Sequence, residues 1–109
     1  MQGNRFDPAS APKLEDPIAK AGFHLSPITI EKTAGSSLVY AVGSLNNKTE
    51  RQRFGVRIEI DLFDKADQKL GTAKDYQAVI EPHGQWRFRA LVVDSKAVSA
   101  KVASIKEDQ

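Results

Sequence analysis

The chain has 109 residues, 12.0 kDa, with hydrophobic residues at 40% and charged residues at 28%. That is one domain's worth of core, and neither a membrane-spanning nor a highly charged disordered composition. Sixteen basic against fourteen acidic residues leave a net charge of +2, too balanced to point to nucleic acid or lipid, and the absence of cysteine excludes disulfides, thiolate chemistry and Cys-type zinc sites.

The first segment is rich in proline: Pro8, Pro12, Pro17 and Pro27 fall within 27 residues, with Phe6 and Phe23 as its only aromatics. Such a stretch buries too little apolar surface to offset chain entropy, so residues 1–26 are expected to be a flexible leader, and 27–109 the folded domain. No window approaches the ~20 apolar residues that span a bilayer, and the N-terminus lacks a signal-peptide pattern. The chain itself is therefore expected to insert into no membrane, any anchor lying upstream of it.

From Pro27 the pattern takes the period of a strand. Ile28 and Ile30 suggest a short first strand, and Leu38–Gly43 a second, closed by Asn46-Asn47-Lys48. Arg53–Asp64 is the clearest: Phe54, Val56, Ile58, Ile60 and Leu62 take one face, and Arg53, Gly55, Arg57, Glu59 and Asp61 the other. On a helix these side chains would scatter around the cylinder; on a strand they make one half-buried surface. A turn at Lys65–Gln68 leads into Leu70–Ile80, where Leu70, Thr72, Tyr76, Ala78 and Ile80 share a face. After Pro82-His83-Gly84, the residues Trp86, Phe88, Ala90 and Val92 alternate with Gln85, Arg87 and Arg89. Asp94–Val102 contains helix formers, yet the alternation of Val98, Ala100 and Val102 reads as a sixth strand. Six to seven strands at this spacing predict an all-β antiparallel sandwich.

Several segments match a known pattern. Ile60-Asp61-Leu62-Phe63-Asp64 resembles the motif that names the FxLYD family of bacterial extracytoplasmic domains, with Ile60 in place of Phe, Phe63 in place of Tyr, and Leu62 and Asp64 matching. Gly43-Ser44-Leu45-Asn46-Asn47 is similar to that family's strand end, and Pro82, Gly84 and Phe88 to its Pro-Gly segment. Asp67 stands where the family favours Gly, and His83 is inserted between Pro82 and Gly84. The resemblance covers residues 38–106. It implies an immunoglobulin-like sandwich carried outside the cytoplasm on an anchored or secreted bacterial protein, and no catalytic residues.

The residues carry physical readings of their own. Asp64, directly after a strand, suits hydrogen bonds to turn amides. Asn46 is placed to tie down loop backbone where pairing ends, and Trp86 and Phe88 bring large apolar area to the core.

Chemical sites are poorly supplied. Asp61, Asp64 and Asp67 lack the spacing of a calcium loop. His24 and His83 are too far apart in sequence to suggest zinc, and no nucleophile elbow is present. Glu59 and Asp75 are a conceivable carboxylate pair only if they meet across strands. Arg51, Arg53, Arg57, Arg87 and Arg89 would serve a nucleic-acid-binding barrel, yet interleaved acids and the missing stacking aromatics argue against one. No enzyme activity, cofactor, metal or nucleic acid is expected. Phe63, Leu91 and Val93 break the alternation, marking either strand ends covered on both sides or an exposed apolar patch for a partner protein. The expectation is a protein-interaction or spacer module. The alternative is a small-ligand or carbohydrate-binding module using Trp86, Tyr40 and Tyr76 as a platform.

Overall fold

The computed structural model describes residues 17–108. A single helical turn, α1 (Pro17–Lys20), precedes seven strands: β1 (Phe23–Leu25), β2 (Thr29–Lys32), β3 (Val39–Asn47), β4 (Arg53–Phe63), β5 (Lys69–Ile80), β6 (Gln85–Val92) and β7 (Ser99–Lys106). They form two antiparallel sheets packed as an all-β sandwich.

In one sheet β3 is central. β6 follows it from Val39 opposite Val92 to Asn46 opposite Gln85, and its other edge is shared by β1 and β2 in succession. In the other sheet β4 is central, flanked by β5 and β7. If β1 and β2 are taken as one interrupted edge strand, the second strand pairs with the fifth and the third with the sixth. That is the pairing of an immunoglobulin-like sandwich.

Residues 17–26, which composition assigns to the leader, belong to the folded body; the rest of that leader, residues 1–16, lies outside the described residues. β1 pairs with β3, and Phe23 is buried in the core. Proline content signalled a poor core former, but one aromatic in register with a neighbouring strand anchors the segment. The second expected strand likewise runs on to Asn47, because β1 and β6 continue to pair with it.

The core is the inner face of both sheets: Ala41 and Leu45 of β3, Val56, Ile58, Ile60 and Leu62 of β4, and Trp86, Phe88, Ala90 and Val92 of β6. Trp86 and Phe88 meet edge to face with centroids 5.8 Å apart. Burying each such ring contributes about 2–3 kcal/mol.

Strict alternation fails in two places. Gly55 is left-handed at φ 59°, and the pleat is offset there: Arg53 and Val56 are both buried while Phe54 is 48% exposed. A side chain at 55 would be strained by this φ and would also clash with the Asp108 carboxylate. In β5 the expected face is reversed. Ala73 points inward with Asp75, Gln77 and Val79 half-buried, while Thr72, Tyr76 and Ala78 are exposed. A bulge between Leu62 and Phe63 makes Leu70 the extra residue and shifts the phase of all that follows. At the far end Ile80 turns inward because it stands opposite Arg53.

Candidate functional site

Strand directions place three loops at one end of the sandwich: 33–38 between β2 and β3, 64–68 between β4 and β5, and 93–98 between β6 and β7. Each is closed by its own hydrogen bonds. In the first, the Leu38 N–H donates to Ser36 Oγ at 3.0 Å, and Thr33 N–H to the Leu38 carbonyl at 3.0 Å. In the second, Asp64 Oδ1 accepts from the N–H groups of Ala66 (2.8 Å) and Gln68 (2.9 Å), as its position after the strand predicted. Asp67 there takes φ 64°, a conformation aspartate tolerates without glycine. In the third, Asp94 Oδ1 accepts from Lys96 N–H at 2.9 Å, Val98 N–H donates to the Phe63 carbonyl at 2.8 Å, and Ala97 is buried in the core.

These loops and the adjoining end of β6 hold apolar side chains in water. Leu38 is 46%, Leu91 45%, Val98 60% and Val93 83% exposed. Among the described residues, the other large apolar side chains exposed to this degree are Phe54, near the opposite end of the sandwich, and Tyr76, in the middle of β5. Of the residues singled out as breaking the alternation, Leu91 and Val93 thus reach solvent at the loop end. Phe63 is only half-buried there: it sits at the bulge, with Lys101 Nζ 5.5 Å from its ring centre.

The residues with chemical potential are dispersed. Asp61 lies 3.2 Å from Lys69 Nζ, and Asp64 is committed to its turn. Glu59 stands opposite Lys74 while Asp75 stands opposite Ile58, so the two carboxylates do not form a pair. Asp75 Oδ2 instead accepts the Arg89 N–H at 2.8 Å, which occupies part of the free edge of β6. His24 lies opposite Asn46, and His83 contacts Glu50 at 2.8 Å on an exposed turn at the other end. No group of three or more His, Asp or Glu residues among those described is placed to hold a metal ion. No helix among them is long and apolar enough to cross a membrane.

The five arginines separate as well, Arg51 being exposed in the loop between β3 and β4. Arg53 is buried against Glu107 and Arg57 pairs with Asp108 at 2.9 Å, both on β4, whereas Arg87 and Arg89 belong to the opposite sheet. Trp86 is buried and offers no stacking platform. The ring of Tyr40 lies under the Arg89 guanidinium at 4.1 Å, and that of Tyr76 under Arg57 at 5.4 Å.

The alternation pattern does not reveal the structural roles of two residues, Asn47 and Arg53. Asn47, not Asn46, ties down the loops: its Nδ2 donates to the carbonyls of Arg51 (2.8 Å), Glu81 (3.0 Å) and Ile80 (3.3 Å), and its Oδ1 accepts from Thr49 N–H and Oγ1. Asn46 faces outward, accepting from Gln85 Nε2 at 3.2 Å. Arg53 appears in the sequence as one more polar-face residue, and only Gly55, two positions on, hints that the pleat is interrupted. Comparison of the chain with protein-family models, with curated proteins and with solved structures finds no match.

Proposed function

We propose that this sandwich is a non-enzymatic protein-docking or spacer module, of the kind that the FxLYD resemblance implies for a bacterial envelope or secreted protein. One observation carries the reading: Leu38, Val93 and Val98, on loops already closed by their own hydrogen bonds, and Leu91, near the end of β6, are all exposed at one end of the sandwich. Apolar side chains pre-ordered in water lose little entropy when a partner covers them, which is the economy of a docking surface. Catalysis would instead need ionisable groups brought together, and here they are spread over both sheets and both ends. A place outside the cytoplasm is part of the proposal and rests on the motif resemblance.

Photo-crosslinking in cells tests the docking end. A benzophenone side chain at Val93 or Val98 should give discrete protein adducts, and one at Lys74, on the exposed face of β5, should not. Adducts absent at Val93 and Val98, or equal at all three positions, would reject the reading. Fractionation of the same cells checks the compartment.

A further inference from the structure

The outward side chains of β6 run Gln85, Arg87, Arg89, Leu91, with Val93 just past the strand. Along one line the surface is therefore basic and then apolar. Arg87 stands opposite Ser44, and Arg89 opposite Val42. Both arginines line a polar recess of about 560 Å³, bounded on its other side by Ser26, Thr29 and Glu31.

The recess follows from the interrupted edge strand. Between β1 and β2 the chain turns at Ser26-Pro27, where Ser26 N–H donates to the Ser44 carbonyl (2.9 Å) and Ser26 Oγ accepts the Ser44 N–H (2.8 Å). The backbone of β3 is thereby satisfied without a full strand covering it. Gly43 contributes on the inner side: its missing Cβ leaves room for Phe88, whose ring would lie 2.7 Å from one.

Neither guanidinium has an acidic partner among the described residues: no carboxylate there lies within 4.0 Å of either, whereas Arg53 and Arg57 each have one. Glu31, the acid lining the recess, accepts instead from Thr29 Oγ1 at 3.4 Å. The Arg89 guanidinium lies over the Tyr40 ring, 4.1 Å from its centre, a cation–π contact that restrains the group while using none of its N–H donors. The N–H fork of a guanidinium matches a carboxylate bidentately.

Same-face residues of a strand recur every ~6.6 Å, and alternate residues of any extended peptide repeat at that same distance. A segment laid along β6 with acidic residues at alternate positions meets Arg87 and Arg89 in register, and its next same-face residues reach Leu91 and Val93. The geometry points to an acidic, extended segment of a partner protein, its alternate acidic residues over Arg87 and Arg89 and its apolar ones over Leu91 and Val93, as the occupant of the outer face of β6. This rests on the reading of the domain as a docking module and names the chemistry of what docks.

The test is fluorescence anisotropy with a labelled peptide carrying two glutamates and then leucine and valine at alternate positions, against a version with glutamines for the glutamates. The glutamate peptide should bind the wild-type chain at low salt and weaken as salt rises, and the glutamine version should bind roughly tenfold more weakly. The double variant Arg87→Gln/Arg89→Gln should bind both peptides equally weakly, and Glu31→Gln should strengthen binding of the glutamate peptide. An unchanged urea midpoint in these variants shows that the fold is intact. Equal binding of the two peptides, or full binding by the double variant, would overturn the proposal. So would a sulfated polysaccharide or single-stranded oligonucleotide that needs these arginines while the acidic peptide does not bind. Adducts at Val93 and Val98 report separately: if they persist while the peptide fails, only the acidic partner is wrong.

Discussion

Arg53 and Glu107, 54 positions apart, are joined through two hydrogen bonds, Nε to Oε1 at 2.8 Å and Nη2 to Oε2 at 2.5 Å. The same guanidinium donates to the Ala21 carbonyl at 2.8 Å and lies 4.2 Å from the Phe23 ring centre. One side chain of β4 thus fastens both the segment ahead of β1 and the residue after β7. Removing one partner leaves the other charge desolvated, which is where buried ion pairs become costly. Glu107→Gln should destabilise the domain by about 2–3 kcal/mol, the value for a fully buried pair being reduced because Glu107 keeps some contact with solvent. Arg53→Met combined with Glu107→Gln should cost less than the sum of the two single changes. Urea unfolding of the four proteins measures the coupling, and strict additivity would show that the pair contributes nothing.

Asn47 is fully buried and satisfies backbone groups of two separate loops. Asn47→Ala strands those carbonyls and the Thr49 N–H without water, at a cost of roughly 2–3 kcal/mol. In a domain of this size each kcal/mol lowers Tm by about 4–8 °C. Asn47→Asp should be no milder, since a carboxylate then faces carbonyl oxygens. Asn46→Ala, changing an outward-facing neighbour, should move Tm little. Thermal unfolding compares all three.

Phe54 and Ile58 belong to one face by simple alternation, but Gly55 separates them. Phe54→Ser should change stability by less than about 0.5 kcal/mol, as expected of an exposed site, whereas Ile58→Ala should cost about 2–4 kcal/mol. Gly55→Ala should cost about 1–2 kcal/mol through the left-handed backbone alone. Chemical denaturation of these variants would refute the offset pleat if Phe54→Ser proved as damaging as Ile58→Ala.

Trp86, the single tryptophan, is 7% exposed and packed on Phe88. Its emission should be blue-shifted relative to the unfolded chain and poorly quenched by acrylamide, with no response to added sugars. Efficient quenching in the folded state, or a shift on adding a sugar, would contradict its burial in the core.

Much of the fold was legible because period-two patterning is a local property. Wherever a strand is covered on one side only, burial writes itself onto alternate residues, and β6 shows this over its whole length: Trp86, Phe88, Ala90 and Val92 are inside, as the alternation predicted. The turn role of Asp64 was legible for the same reason, because its hydrogen bonds reach only two to four residues ahead. Where the pleat is interrupted, alternation misleads. In β5 a single extra residue at the bulge exchanges the faces, and in β4 the left-handed Gly55 turns an arginine inward and a phenylalanine outward.

The chain's own residues determined an all-β domain, the faces of its regular strands and the lack of a local chemical motif, since each depends on near neighbours. Only the tertiary structure decided that Phe23 joins the core, that Asn47 rather than Asn46 holds the loops, and that Arg53 meets Glu107. It also decided which arginines among the described residues are left without a carboxylate. These relationships link residues tens of positions apart, and their partners are chosen by register and sheet packing rather than by any property of either residue alone.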